Sequence, residues 1–468
     1  MSLSEPDRSP AYSVFISSFY LLILLFLSIY FFRERTIMPD TSFQLFELLR
    51  NDHFSIQTGR YGAFINQVLP LAVARSGGHL KAILISYSLT FTLLPLAIFL
   101  VQLGPFKNPK MALVVVLFSS LLVVHTFFWV QSELITACLY LLLGWGFVHT
   151  RNEPIQWHWL WLLPLLVLGL ITHPLALIPH IYIGIFFLTG TKNRLRSGVW
   201  YFTLAGLLIV LMKWSLLTIH AYDATAAGLS QNAFLRFYRF FEWQSTRQFL
   251  SNCLRLYLPF FPLFGWIIYY YWRSGEKAKL ALFLSATLGY LVLVNGTYSW
   301  GGVIFHMEAF YQILAVFLAL PLVFDIFPTL TGRWRSVAIS LLLVHSLFQI
   351  ANTGRFYKQR NRWISDVMNT YQSAGYNKVL LPVETVPMDT LLLEWGLPYE
   401  TALLSELKKN QNTFSAVVNR PDAPFKPWKM DKHVYLHTFG AIPYSELNRL
   451  PYFNFRDTAL YLEVRAAE

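Results

Sequence analysis

Residues 159–190 read WLWLLPLLVLGLITHPLALIPHIYIGIFFLTG, and the way they cross a bilayer decides the fold. A hydrocarbon core of about 30 Å takes about 20 apolar residues in one helix. A single tilted helix through this stretch would carry Pro174 near its centre, where proline removes a backbone donor and clashes with the preceding turn. The stretch therefore reads as two short spans, 159–172 and 175–190, turning at His173-Pro174. Reading it as one span would move every later loop to the other side.

Working outward, apolar runs also fall near 14–32, 80–101, 111–126, 134–150, 198–216, 255–272, 280–296, 308–327 and 335–351. That makes about eleven transmembrane helices. With the N-terminus inside, the short inner loops carry Lys107 and Lys110; Arg151; Lys192, Arg194 and Arg196; Arg273, Lys277 and Lys279; Arg333 and Arg335. Only Glu153 and Glu276 oppose them, and a Lys/Arg bias over short loops sets orientation. The expected fold class is thus a polytopic α-helical membrane protein, N-terminus in and C-terminus out.

Composition supports lipid as the solvent. Of 468 residues, 55% are hydrophobic and 13% charged, and the mean hydropathy is +0.45; soluble domains carry about 25% charged residues. The net charge of +12 comes from short clusters between apolar runs, which are topology determinants and no sign of nucleic acid. Cys138 and Cys253 lie in or beside apolar segments and read as buried hydrophobes. Residues Met1 to Ser13 lack the basic leader and small-residue cleavage site of a secretory signal, so 14–32 reads as a retained span.

Two outer segments are long. Residues 33–79 contain FQLFELL (43–49) with helical apolar spacing, and residues 217–254 contain LRFYRFF (235–241), basic and aromatic. Both suit helices lying on the membrane interface. The chain divides into a membrane domain, 1–352, and an extracytoplasmic domain, 353–468. In the latter, charges and turn residues return, with strands expected at 378–382, 415–418, 434–437 and 459–463 and a helix near 389–409. A small α/β domain follows. It has no Gly-rich phosphate loop and no metal-ligand spacing.

On this topology the ionisable residues gather at the outer face. Asp40 follows Pro39 and reads either as a functional carboxylate or as the N-cap of a helix over 41–50; Asp52 is a second carboxylate nearby. Glu133 opens a span after Trp129, Gln131 and Ser132, a polar-aromatic rim suited to a sugar, and an ionisable group at membrane depth marks a functional site by default. His125, His173, His306 and Glu308 map to the same face, as does Tyr298. Arg60 and Arg255 lie where the charge bias expects few cations, and guanidinium pairs bidentately with phosphate. Histidines with carboxylates suit a divalent metal, but no local zinc pattern occurs, so no metal site and no firm cofactor is assigned. Carboxylates, arginines and aromatic rims at one depth fit glycosyl transfer: a carboxylate takes the acceptor proton and arginines receive the departing phosphate.

In layout the chain resembles the GT-C superfamily of integral-membrane glycosyltransferases. The resemblance covers most of 14–352 and rests on one span, a long outer loop with an early carboxylate (IMPD, 37–40), paired short spans, an acid at an outer turn (QSE, 131–133) and a terminal outer domain. It implies a polyprenyl-phosphate-linked sugar as donor and a glycan, lipid or protein as acceptor. It also implies Asp40 as the catalytic residue, Glu133 as a supporting acid, and a bacterial cytoplasmic membrane with the site facing the periplasm. Arg60, His125, His173, Arg255, Tyr298, His306 and Glu308 are then substrate-binding candidates. The chain lacks the paired Asp-Glu and second-loop acidic dyads of metal-dependent oligosaccharyltransferases. The alternatives are an O-antigen-ligase-like transferase, a lipid or solute transporter, and a non-catalytic subunit.

Overall fold

The computed structural model describes residues 9–150, 158–190, 196–216, 221–408 and 412–464. Residues 1–8, the loop residues Arg151, Glu153, Lys192 and Arg194, the start of the 217–254 segment, and Lys409 lie outside the described residues.

Among the described residues, seven helices are long and apolar enough to cross a membrane: Tyr12–Tyr30, Leu80–Leu103, Glu133–Thr150, Ser197–Ser215, Lys277–Thr297, Ile304–Thr329 and Gly332–Ser373. Helices Gln244–Arg255 and Phe260–Ser274 form one further apolar unit, bent by 92° between them. Pro109–Phe118, Trp159–Thr172 and Pro174–Gly190 are apolar but shorter. The chain is a polytopic helical membrane protein.

The deciding stretch breaks where proline predicts. The helix from Trp159 stops at Thr172, His173 is extended (φ −152°, ψ 131°), and a 3-10 turn at Pro174–Ala176 leads into Leu177–Gly190. His173 Nδ1 accepts the Leu175 N–H at 3.2 Å, satisfying a donor that a helix start leaves open. The first helix starts with Trp161 against Phe106 and Phe147 and ends at Gly62, where a Cβ would clash with Thr172 Oγ1. The second ends with Gly190 beside Lys279, which is back at the starting end. The two helices form a hairpin.

The segment 111–126 is not one helix. Its helix ends at Phe118, and residues 119–132 are irregular. Ten residues rise about 15 Å, half the hydrocarbon thickness. The helix gives way because the Val124 and Thr126 N–H groups bond the Glu308 carboxylate, at 2.6 and 2.7 Å, in place of the preceding turn.

The two segments expected on the membrane interface differ in what covers them. The helix over 43–49 spans Pro39–Asn51, but its apolar face does not lie on lipid. Phe46 packs on Tyr399, Tyr435 and Phe453 with ring centroids 5.0–5.3 Å apart, so the C-terminal segment covers it. Phe237, Tyr238 and Phe241 are exposed.

The long helix Gly332–Ser373 has 42 residues, about 63 Å at 1.5 Å per residue and twice the hydrocarbon thickness. It carries the chain out of the bundle without a break, so residue 353 lies inside a helix. Beyond it, β1 (Lys378–Pro382) pairs in parallel with β2 (Ser415–Asn419), while β3 (Val434–His437) and β4 (Gly440–Pro443) form an antiparallel pair. A short β5 (Leu462–Glu463) pairs in parallel with the other edge of β1. Leu397–Glu406 supplies the crossover that parallel β1 and β2 require. The helix expected over 389–409 is interrupted. It divides into Met388–Leu391 and Leu397–Glu406, with Leu392 at φ 70° and Pro398 opening the second piece.

Candidate functional site

Asp40 does not cap its helix. Met38 is the N-cap, Pro39 takes the first turn, and Asp40 follows it, where the helix dipole favours a carboxylate. Its Oδ2 accepts the Trp129 indole N–H at 3.0 Å and faces His306 Nε2 at 3.3 Å. The Trp129 ring lies edge-on to His306, 4.7 Å between centroids. Asp40 Oδ1 has no hydrogen-bond partner among the described residues, and the side chain is 21% exposed.

Two buried arginines fix this unit. Arg360 donates to the Ile37 carbonyl at 2.8 Å, to the Leu391 carbonyl at 3.0 Å, and to Glu400 Oε1 at 2.6 Å. Both partners of that ion pair are fully buried, and burial pushes the Glu400 carboxyl up to about 7 against the pull of Arg360. Gly396 lies against Pro39, where a Cβ would sit 2.3 Å from the Pro39 Cα. The stretch 391–400 thus clamps the turn that presents Asp40. Arg35 fixes the opposite wall: it donates to Ser88 Oγ at 2.8 Å, to the Ser88 carbonyl at 3.0 Å and to the Phe127 carbonyl, with its guanidinium 4.0 Å from the Phe127 ring centroid. Phe127 lies two residues before Trp129.

Glu133 opens the helix Glu133–Thr150. Its Oε2 lies 3.3 Å from an Arg60 guanidinium nitrogen, and its Oε1 accepts from Gln131 at 3.4 Å. Glu133 and Asp40 are within electrostatic reach of each other and of the buried Tyr87, whose hydroxyl donates to Gln44 Oε1. The segment 129–133 thus bonds Asp40 at one end and Arg60 at the other.

The remaining candidates divide. Glu308 is fully buried and both its oxygens are engaged: Oε1 by Val124 N, Thr126 N and Thr126 Oγ1, and Oε2 by the Tyr257 hydroxyl, at 2.6–2.7 Å. It holds the irregular segment that carries Trp129. His125 bonds the Tyr357 hydroxyl at 3.1 Å in the same framework. His173 and Tyr298 share the Phe310 ring; Tyr298 stacks on it at 5.1 Å and His173 lies 6.4 Å away. Arg255 is exposed at the end of its helix, where its carbonyl accepts from Gln349. The structure therefore joins Asp40 to His306 and Glu133 to Arg60, and leaves Arg255 outside both pairs.

In the sequence Trp129 stands out only as part of a rim. Its bond to Asp40 spans 89 residues and has no local sequence signature, and neither have Arg35 and the Arg360–Glu400 pair. Among the described residues no three His, Cys, Asp or Glu side chains come together as metal ligands would. The arrangement offers one open carboxylate oxygen with a neighbouring imidazole, and a guanidinium on the second carboxylate. No protein-family model, no curated protein and no solved structure matches this chain.

Proposed function

We propose that the chain is a membrane glycosyltransferase that moves a sugar from a polyprenyl-phosphate-linked donor to a hydroxyl of a glycan, lipid or protein acceptor. In this reading the chain crosses a bacterial cytoplasmic membrane eleven times, N-terminus in and C-terminus out, and the site faces the periplasm. The observation that carries it is the open Oδ1 of Asp40, on a carboxylate whose other oxygen is held by Trp129 and His306.

Asp40 Oδ1 takes the proton of the acceptor hydroxyl, whose oxygen attacks the anomeric carbon as the bond from that carbon to the phosphate oxygen breaks. The polyprenyl phosphate leaves with the electron pair. Arg60 exchanges part of its contact with Glu133 for the phosphate, as a planar guanidinium does well, and Glu133 keeps that arginine in place.

The test is transfer from radiolabelled polyprenyl-phosphate sugars by the purified full chain. Asp40→Asn is expected to lose about 10²- to 10⁴-fold, the usual worth of a positioned general base. Glu133→Gln is expected to act mainly on donor affinity. Transfer that survives both substitutions sinks the proposal.

A transporter is the second reading, favoured by the two interrupted apolar units at His173-Pro174 and at the 92° bend, since broken helices form transporter sites. It predicts movement of labelled lipid across a vesicle membrane with no new glycosidic bond.

A further inference from the structure

Three aromatic rings from separate elements meet one helical turn from Asp40. Phe43 lies three residues after Asp40 on the helix Pro39–Asn51, a spacing that puts side chains on neighbouring ground. Its ring centroid is 5.8 Å from that of Trp395 and 5.7 Å from that of Phe439, and those two are 5.8 Å apart. Trp395 precedes Gly396, which abuts Pro39, and Phe439 sits in the turn between β3 and β4. Polar bonds hold the group in place. Thr438 Oγ1 donates to the Trp395 carbonyl at 2.6 Å, and the Phe439 N–H donates at 3.3 Å to His437 Nδ1, which also accepts the Tyr399 hydroxyl at 2.8 Å. Yet Phe439 is 60% exposed, and Phe43 and Trp395 are only half-buried. Two polar groups beside the rings are unspent. Among the described residues the Trp395 indole N–H has no hydrogen-bond partner. Glu394 pairs through Oε1 with Arg420 and its side chain is 11% exposed, while no hydrogen bond engages Oε2 among the described residues.

We infer that these rings are the acceptor subsite and that the acceptor is a glycan, one pyranose of which stacks on the exposed rings while hydroxyls along the sugar chain meet the Trp395 N–H and Glu394 Oε2. The inference rests on the transfer reaction proposed above and selects one of the three acceptor classes that reaction allows. The negative face of an aromatic ring suits the C–H face of a pyranose, and an unspent donor beside an unspent carboxylate oxygen suits its hydroxyls. A hydrocarbon chain would cover the rings but shut the Glu394–Arg420 pair away from water, which is costly. A peptide pairs its backbone with a strand edge or lays a helix in a groove; these rings come from a helix, a loop and a turn and present neither. With Phe43 one turn from Asp40 and Gly396 against Pro39, a sugar chain lying on the rings brings its terminal hydroxyl toward the open Asp40 Oδ1.

The experiment is isothermal titration calorimetry of the full chain in lipid nanodiscs with hexasaccharides of the malto, cello, chito and mannan series, beside the transfer assay with the same sugars as acceptors. Wild type is expected to bind at least one of them. Phe439→Ala should weaken that sugar about tenfold, the order of one aromatic contact, and raise its KM by a like factor with kcat kept. Trp395→Phe, which keeps a ring and removes the donor, should weaken it about fivefold. The melting temperature of each variant checks that it is folded. Binding that Phe439→Ala loses, with no transfer by wild type, sinks the reaction and leaves the rings a glycan site. Transfer that is unchanged in folded Phe439→Ala, or that goes equally well to a long-chain alkyl alcohol, keeps the reaction and overturns the subsite. No binding across the panel overturns it as well. So does quenching by brominated phosphatidylcholine that is present in wild type and absent in Trp395→Phe, which would put the rings in the bilayer.

Discussion

Trp129 is the residue through which the proposed chemistry is most directly tested. Its indole N–H holds Asp40 Oδ2 while its ring packs on His306. Trp129→Phe keeps the ring and removes only that donor. A hydrogen bond to a charged group is worth about 1.5–3 kcal/mol, so kcat/KM should fall about tenfold to a hundredfold, less than for Asp40→Asn. Equal activity in a transfer assay would mean that Asp40 needs no positioning. The Arg360–Glu400 pair makes a separate demand on stability. Arg360→Ala strands a fully buried carboxylate and should cost about 3–5 kcal/mol, read from thermal or denaturant unfolding. Burial raises the Glu400 carboxyl from its ordinary value to about 7. Its contribution is therefore fully present below about pH 4.5 and is lost as pH rises through 7. Glu400→Gln should flatten the stability profile between those limits, and an unchanged slope would assign the pH dependence to another group.

Among the elements, those legible in the sequence are the ones a single segment specifies. Apolar runs of about 20 residues and the proline at 174 are one-dimensional signals, and the helices and the break at His173 follow them. Strands β1 and β3 likewise fall where alternation and flanking turn residues place them. What was not legible depends on partners far along the chain. The 111–126 segment loses its helix to Glu308, more than 180 residues away, and the helix at 39–51 gains a protein cover in place of lipid from residues beyond 390. The Asp40–His306 contact, 266 residues apart, belongs to the same class. The contact of Gly396 with Pro39 is the element-level joint between the C-terminal segment and the site. Gly396→Ala places a methyl group against the Pro39 Cα, backbone that cannot give as a side-chain tip does. The turn before Asp40 must shift, and misplacement of about 1 Å costs on the order of 10²-fold in rate. Transfer should fall steeply in a variant that still elutes as a folded, monodisperse protein; a fully active variant would show the joint to be slack.

At the scale of the whole molecule the question is whether the C-terminal segment is an appendage or part of the same body as the site. The long helix reaches it without a break, and residues beyond 390 close over the 39–51 helix. Phe46 and Leu45 are fully buried, and their cover comes from Tyr399, Tyr435 and Phe453. Arg360 joins all three parts in one stroke, bonding the Ile37 carbonyl, the Leu391 carbonyl and Glu400. Truncation after Ser373 would expose Phe46, Leu45 and Leu49 together. Burying one such side chain is worth about 1.5–3 kcal/mol, and a contiguous apolar patch invites association. It would also leave Arg360 without two of its three acceptors. The truncated chain is therefore expected to lose monodispersity on size exclusion and to lose transfer activity, although every apolar membrane helix is still present. A truncated protein that stays monodisperse and retains transfer would make the C-terminal segment an appendage, and the clamp on Asp40 would have to lie wholly within the membrane helices.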